Sequence, residues 1–219
     1  SSLASGKLTG ALPAIDGSNL TDLTSASLTG ALPAIDGSAL TGLSAGALVF
    51  ISSSDLVSVA TADFTGFNSA LYDSYVFTFA NVIPANDNVR LDMRTSSDGG
   101  TSYDSGSTDY RYSMIYQSGS AGVTGTGIAS DKIRLTTNPV GSNAGEDGVS
   151  GTVDVLGPHL AKRTKTVSSV TYTDGGGAEQ FTTGGGVRMS SADVDAVRFS
   201  FQAGNIESGT ITMYGRVNS

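Results

Sequence analysis

The sequence has no cysteine and no tryptophan, and it carries a single histidine. Without cysteine there are no disulfides and no thiolate metal sites, so the fold rests on packing and hydrogen bonds alone. One histidine leaves no pair for a His-based zinc centre. Charged residues make up 15% of the 219-residue chain, with 12 Lys and Arg against 20 Asp and Glu. The resulting net charge of −8 argues against a general nucleic-acid binder, which needs a basic face. No apolar run approaches the roughly 20 residues that span a bilayer, so no membrane insertion is expected. Scarce charge together with 29 glycines is not the make-up of a helical bundle. It suits an all-β chain of short strands and tight turns. The chain begins at Ser1 rather than Met, which reads as the C-terminal part of a longer polypeptide.

What the sequence does contain is a repeat. LTGALPAIDGSNLTDL (8–23) and LTGALPAIDGSALTGL (28–43) differ at two of their positions. The recurring apolar set is Leu8, Leu12, Ile15, Leu20 and Leu23, followed by Leu28, Leu32, Ile35, Leu40 and Leu43. So few small anchors, interrupted by Pro13 or Pro33 and by Asp-Gly turns, cannot offset the entropy of ordering a separate domain. Repeats of this kind become stable by stacking on copies of themselves, and the missing copies are other chains. Three parallel chains would bring the Leu and Ile rows onto a common axis. A flexible linker would be Gly/Ser-rich without a recurring aliphatic row. A heptad coiled coil would be broken by the prolines.

From about residue 46 the pattern changes to polar–apolar alternation, the signal of half-buried strands. Tyr75, Phe77 and Phe79 share one face of YVFTF, and Val89, Leu91 and Met93 share one face of VRLDMR. Tyr110, Tyr112, Met114 and Tyr116 form a third row. With segments near 47–59, 131–137, 149–156, 165–173, 193–202 and 209–217, about nine strands are expected. This spacing predicts an antiparallel, jelly-roll-like sandwich over residues 46–219, after a repeat region at 1–45.

The repeat unit resembles the shaft repeats of bacteriophage tail-fibre and tail-spike proteins, over residues 7–43. The ending FQAGNIESGTITMYGRV, with a Gly-Asn-Ile turn before a last strand ending in Tyr-Gly, is similar to the C-termini of phage fibre and tail proteins. The resemblance implies an extended homotrimeric shaft and a β-sandwich tip that recognises a host-surface polysaccharide or protein receptor. It also implies upstream fibre and virion proteins as partners and an extracellular, virion location. The competing expectations are a purely structural fibre, such as a head fibre or baseplate connector, and a polysaccharide depolymerase or esterase.

Several local motifs carry possible chemistry. SSDGGTSY (96–103) fits the Asp-box pattern through Ser96, Asp98, Gly100, Ser102 and Tyr103, and a hairpin role is expected for it. His159 lacks a nucleophile-elbow motif and reads as an exposed loop residue. Glycoside hydrolysis needs two opposed carboxylates, and the three glutamates, Glu146, Glu179 and Glu207, each sit in Gly-rich turns. Lys162, Arg163 and Lys165 are the one basic cluster, able to hold phosphate or carboxylate groups or merely to guard a strand edge. Asn143, Glu146 and Asp147 could offer oxygen ligands to Ca²⁺ but lack EF-hand spacing. No catalytic activity, metal or cofactor is therefore expected. TDGGGAEQFTTGGG (173–186) leads into no helix, which rejects a phosphate loop.

Strict up-and-down alternation of nine strands would place loops 60–72, 96–108, 138–148 and 174–186 far from the repeat, and 82–88, 118–130, 157–164 and 203–208 near it. The far set contains Tyr72, Tyr103, Glu146, Asp147 and Phe181, which are the expected ligand-binding residues. Sugar recognition needs aromatic faces for ring stacking, with carboxylates and amides for hydroxyls.

Overall fold

The computed structural model describes residues 48–118 and 121–217. The repeat anchors, from Leu8 to Leu43, lie outside the described residues. Twelve strands and no helix are present among those described. They are β1 (Leu48–Val59), β2 (Ala62–Phe64), β3 (Tyr72–Pro84), β4 (Leu91–Ser96), β5 (Tyr110–Ser118) and β6 (Ala121–Ser130). The remainder are β7 (Ile133–Arg134), β8 (Val149–Leu156), β9 (Lys165–Thr173), β10 (Glu179–Arg188), β11 (Ala196–Phe201) and β12 (Ile206–Val217).

An eight-stranded sheet has the order β1-β12-β3-β8-β9-β10-β5-β6, and a four-stranded sheet has the order β2-β11-β4-β7. Every pairing is antiparallel. The architecture is all-β and sandwich-like, with the apolar faces of both sheets meeting in one core. The alternation read from the sequence supplies that core: Tyr75, Phe77, Phe79, Leu91, Met93 and Tyr110 are all buried. Phe77 and Phe79 of β3 meet Phe199 of β11 edge-on, with ring centroids 5.2 and 4.9 Å apart, and Phe64 of β2 closes on Phe77 at 5.3 Å. Such edge-to-face contacts add to the area that the rings bury.

Three strands escape the sequence reading: β2, β6 and β10. In β6 and β10, glycines that read as turn residues lie within regular pairings. They are there because neighbours come close to the backbone. A Cβ on Gly186 would stand 2.6 Å from Ile133 of β7, and one on Gly127 would stand 2.3 Å from the Tyr112 ring. The expected strand at 131–137 shrinks to Ile133–Arg134, although Leu135 and Thr136 stay buried.

Each extra strand reverses the chain once more, and this re-sorts the loops. Register puts Leu48 beside Arg216, Ser74 beside Leu156, and Leu156 beside Lys165, all at one end of the large sheet. Val59 and Ile206 mark the opposite end, where Pro84, Thr173 and Glu179 also lie. Because β2 crosses the sandwich, loop 97–109 falls at the Leu48 end rather than the far one. β6 restores the expected order, so 140–148 and 174–178 lie at the Val59 end. β10 then reverses it again, which puts 202–205 at the Val59 end as well.

Candidate functional site

The five expected ligand residues divide into two groups. Tyr72 and Tyr103 belong to the Leu48 end, and both are occupied by the fold. Tyr72 is half-buried, packs edge-on against Tyr75 at 5.9 Å, and fills the space that a side chain at position 215 would need. The Tyr103 ring lies under the Arg198 guanidinium, 4.0 Å from its centre. Arg198 itself is gripped by both carboxylate oxygens of Asp63, at 2.7 and 2.6 Å. Burial pushes the Tyr103 hydroxyl above the usual tyrosine range.

The SSDGGTSY segment is a closed hairpin device, in the form expected for it. Ser102 donates to Asp98 from its amide (2.9 Å) and its hydroxyl (2.6 Å), and the Ser96 hydroxyl donates to the same carboxylate at 2.8 Å. The amides of Asp98 and Gly100 bond Ser96 Oγ in return. Both carboxylate oxygens of Asp98 are taken up within its own turn, so the geometry serves the backbone.

Glu146, Asp147 and Phe181 gather at the Val59 end. Glu146 is buried and accepts the Asn143 amide at 2.7 Å, which makes it a brace for the 140–148 loop. Asp147 is exposed and borders an open hollow of about 180 Å³ with Asn81, Ser150, Thr171, Thr173 and Glu179. The hollow exists because β3 bulges between Phe79 and Val82, leaving Asn81 in the left-handed region at φ 48°. The Asn81 amide N–H donates to Ser150 Oγ, and the Ser150 hydroxyl donates to Asn81 Oδ1, each at 3.0 Å. Close backbone approach at the bulge demands Gly209 on β12, where a Cβ would meet Asn81 O at 2.6 Å. Glu179 is tied by Thr173, whose hydroxyl donates to its Oε1 at 3.1 Å.

Phe181 stands beside this hollow on a strand, not in the loop expected for it. It is the cross-strand partner of Thr171, which in turn partners Ser150. The ring is 51% exposed. One rung of the outer face therefore presents hydroxyls and a bare aromatic ring, with two carboxylates and an amide next to it. Among the described residues no group of three Asp, Glu, His or Cys side chains is arranged to hold a metal ion.

A second concavity lies on the same outer face at the Leu48 end. It is an open groove of about 720 Å³ with Ile128, Leu156, Val167 and Val187 on its walls and Arg111, Arg163 and Lys165 around it. Arg163 and Lys165 are neighbours in the sequence, but Arg111 lies far away in the chain and joins them only because β10 pairs with both β5 and β9.

His159 is half-buried rather than exposed. It edges a hollow of about 70 Å³ with Ser69, Asp193 and Asp195. Its Nδ1 and the Oδ1 of Asp195 are buried without a hydrogen-bond partner among the described residues.

Compared with known proteins, the chain matches no family model, no curated protein and no solved structure.

Proposed function

We propose that the protein is the tip-bearing part of a bacteriophage tail fibre, a homotrimer on a repeat shaft whose jelly-roll-like sandwich attaches the virion to host-surface glycans. The fibre context is supported by the duplicated LTGALPAIDGS unit at 8–18 and 28–38. The observation that carries attachment is the meeting of exposed Phe181 with the Asp147–Glu179–Asn81 hollow on one outer face. An aromatic face stacks on the C–H side of a sugar ring, while carboxylates and an amide take its hydroxyls. The hollow is shallow and open, as suits weak sites multiplied by three through avidity. The binding is non-covalent and outside the cell.

One observation favours a second reading, hydrolysis: Asp147 and Glu179 line the same hollow, and glycosidases work with paired carboxylates. Both readings are tested by incubating labelled protein with a panel of bacterial strains of defined surface polysaccharide, then measuring adsorbed protein and soluble sugar. Adsorption to a subset of strains without sugar release is the expected result. Release of sugar would replace attachment by depolymerisation, and absence of adsorption from every strain would leave only a structural fibre role.

A further inference from the structure

The cations of the described chain fall into two populations. Arg94, Lys132, Arg134, Arg188, Arg198 and Arg216 are each paired with an aspartate. Arg90, Arg111, Lys162, Arg163 and Lys165 have no carboxylate within ion-pair distance among the described residues, and Arg90 instead donates its Nε–H to the Thr137 carbonyl at 2.7 Å. Arg163 is anchored instead by its Nε–H, which donates to the Met189 carbonyl at 3.1 Å. Apart from Arg90, which immediately precedes β4, these unpaired cations do not scatter over the surface. Arg111, Arg163 and Lys165 border the groove at the Leu48 end, and Lys162 borders an adjoining hollow of about 470 Å³ that shares Arg163 and Lys165 with it.

A protein of net charge −8 would ordinarily neutralise such a cluster with its own acids. Three cations left open around one apolar-walled groove, with Lys162 at the adjoining hollow, form a local positive field within an acidic surround, which draws anions to this face and repels them elsewhere. Guanidinium groups match carboxylate and phosphate oxygens in pairs, while the ammonium groups act as point charges. The walls are apolar: Ile128 is 76% exposed and Val167 is 48% exposed. The site therefore asks for a ligand that alternates anionic groups with C–H surface, as an acidic sugar chain does.

We propose that this groove is a second subsite, which binds carboxylate- or phosphate-bearing segments of a surface polysaccharide. It takes its ligand class from the glycan-attachment reading, but it is separate from the Phe181 hollow. The two lie on the same outer face of β10, about 20 Å apart by the rise of six strand residues. A single extended chain can lie across both.

The test measures binding of the full chain to polygalacturonate, poly(glycerol phosphate), neutral dextran and poly(dT), at low and high salt. Wild type is expected to bind one or both anionic sugar polymers, to ignore dextran, and to lose binding as salt rises. Whichever polymer binds distinguishes carboxylate from phosphate as the recognised group. Arg111→Gln/Lys165→Gln should weaken binding about tenfold or more, while Arg90→Gln/Lys132→Gln removes the same charge just ahead of β4 and β7, away from the groove, and should leave it unchanged. If the first pair fails to fold, Lys162→Gln/Lys165→Gln serves the same purpose. Equal loss in groove and control pairs, poly(dT) binding as tight as the sugar polymers, or no binding to either anionic sugar polymer would overturn the proposal. Adsorption to cells separates it from the attachment reading. Loss with Phe181→Ala but not with the groove pair leaves attachment standing and removes the groove from it, and polymer binding without any adsorption does the reverse.

Discussion

Asp98 is ionised far below the ordinary carboxylate range because Ser102 donates to it from hydroxyl and amide and Ser96 donates from its hydroxyl, which holds its pKa to about 2. The folded value lies below the ordinary 3.8, so its contribution to the hairpin is complete above about pH 4. It is lost as the pH falls toward 2. The carboxyl carbon of Asp98, followed by NMR, should titrate with a midpoint near 2, and the Gly100 and Ser102 amides should lose exchange protection over the same range. A midpoint near 4 would mean that those bonds do not form in solution. Core residues behave differently from this exposed turn. Phe199 touches three other phenylalanine rings, so Phe199→Ala should cost about 3–5 kcal/mol in denaturant unfolding. Phe181 is half exposed, and its removal should change stability by no more than about 0.5 kcal/mol. That difference makes Phe181 a usable probe of binding.

At the level of the strand, legibility followed the side chains. β3, β8, β9 and β12 alternate large apolar and polar residues, and their positions were plain from period-2 patterning. β6 and β10 were not, because AGVTGTGIAS and TTGGG offer little side chain to alternate. Their glycines are set by the side chains packed against them, the cross-strand Tyr112 and Ile133 of the other sheet in particular, and a sequence window does not contain those neighbours. β2 is only three residues long, below any periodic signal. Missing these strands sent Tyr72 and Tyr103 to the wrong end, while Glu146 and Asp147 kept their expected one. Gly186→Ala tests the crowding directly: a methyl pressed against Ile133 should destabilise by about 1–3 kcal/mol, measured by the urea midpoint. A neutral outcome would mean that β7 yields easily.

For the molecule as a whole, the proposed function divides the work between the sandwich and the repeat. The sandwich buries its aromatics between two sheets and leaves a hollow and a groove open on the outer face of the large sheet. The repeat carries apolar anchors that a single chain has little means to bury. On the proposed trimer, native mass should be three times the 22.1 kDa chain. Leu12→Asp/Leu32→Asp should reduce it to one chain while each sandwich stays partly folded, as judged by circular dichroism. The most direct measurement is adsorption of labelled protein to a strain that binds wild type, compared with Phe181→Ala/Asp147→Asn at equal trimer content. The variant is expected to lose at least about tenfold in half-saturating concentration with its melting temperature unchanged. Adsorption equal to wild type would contradict attachment through this face.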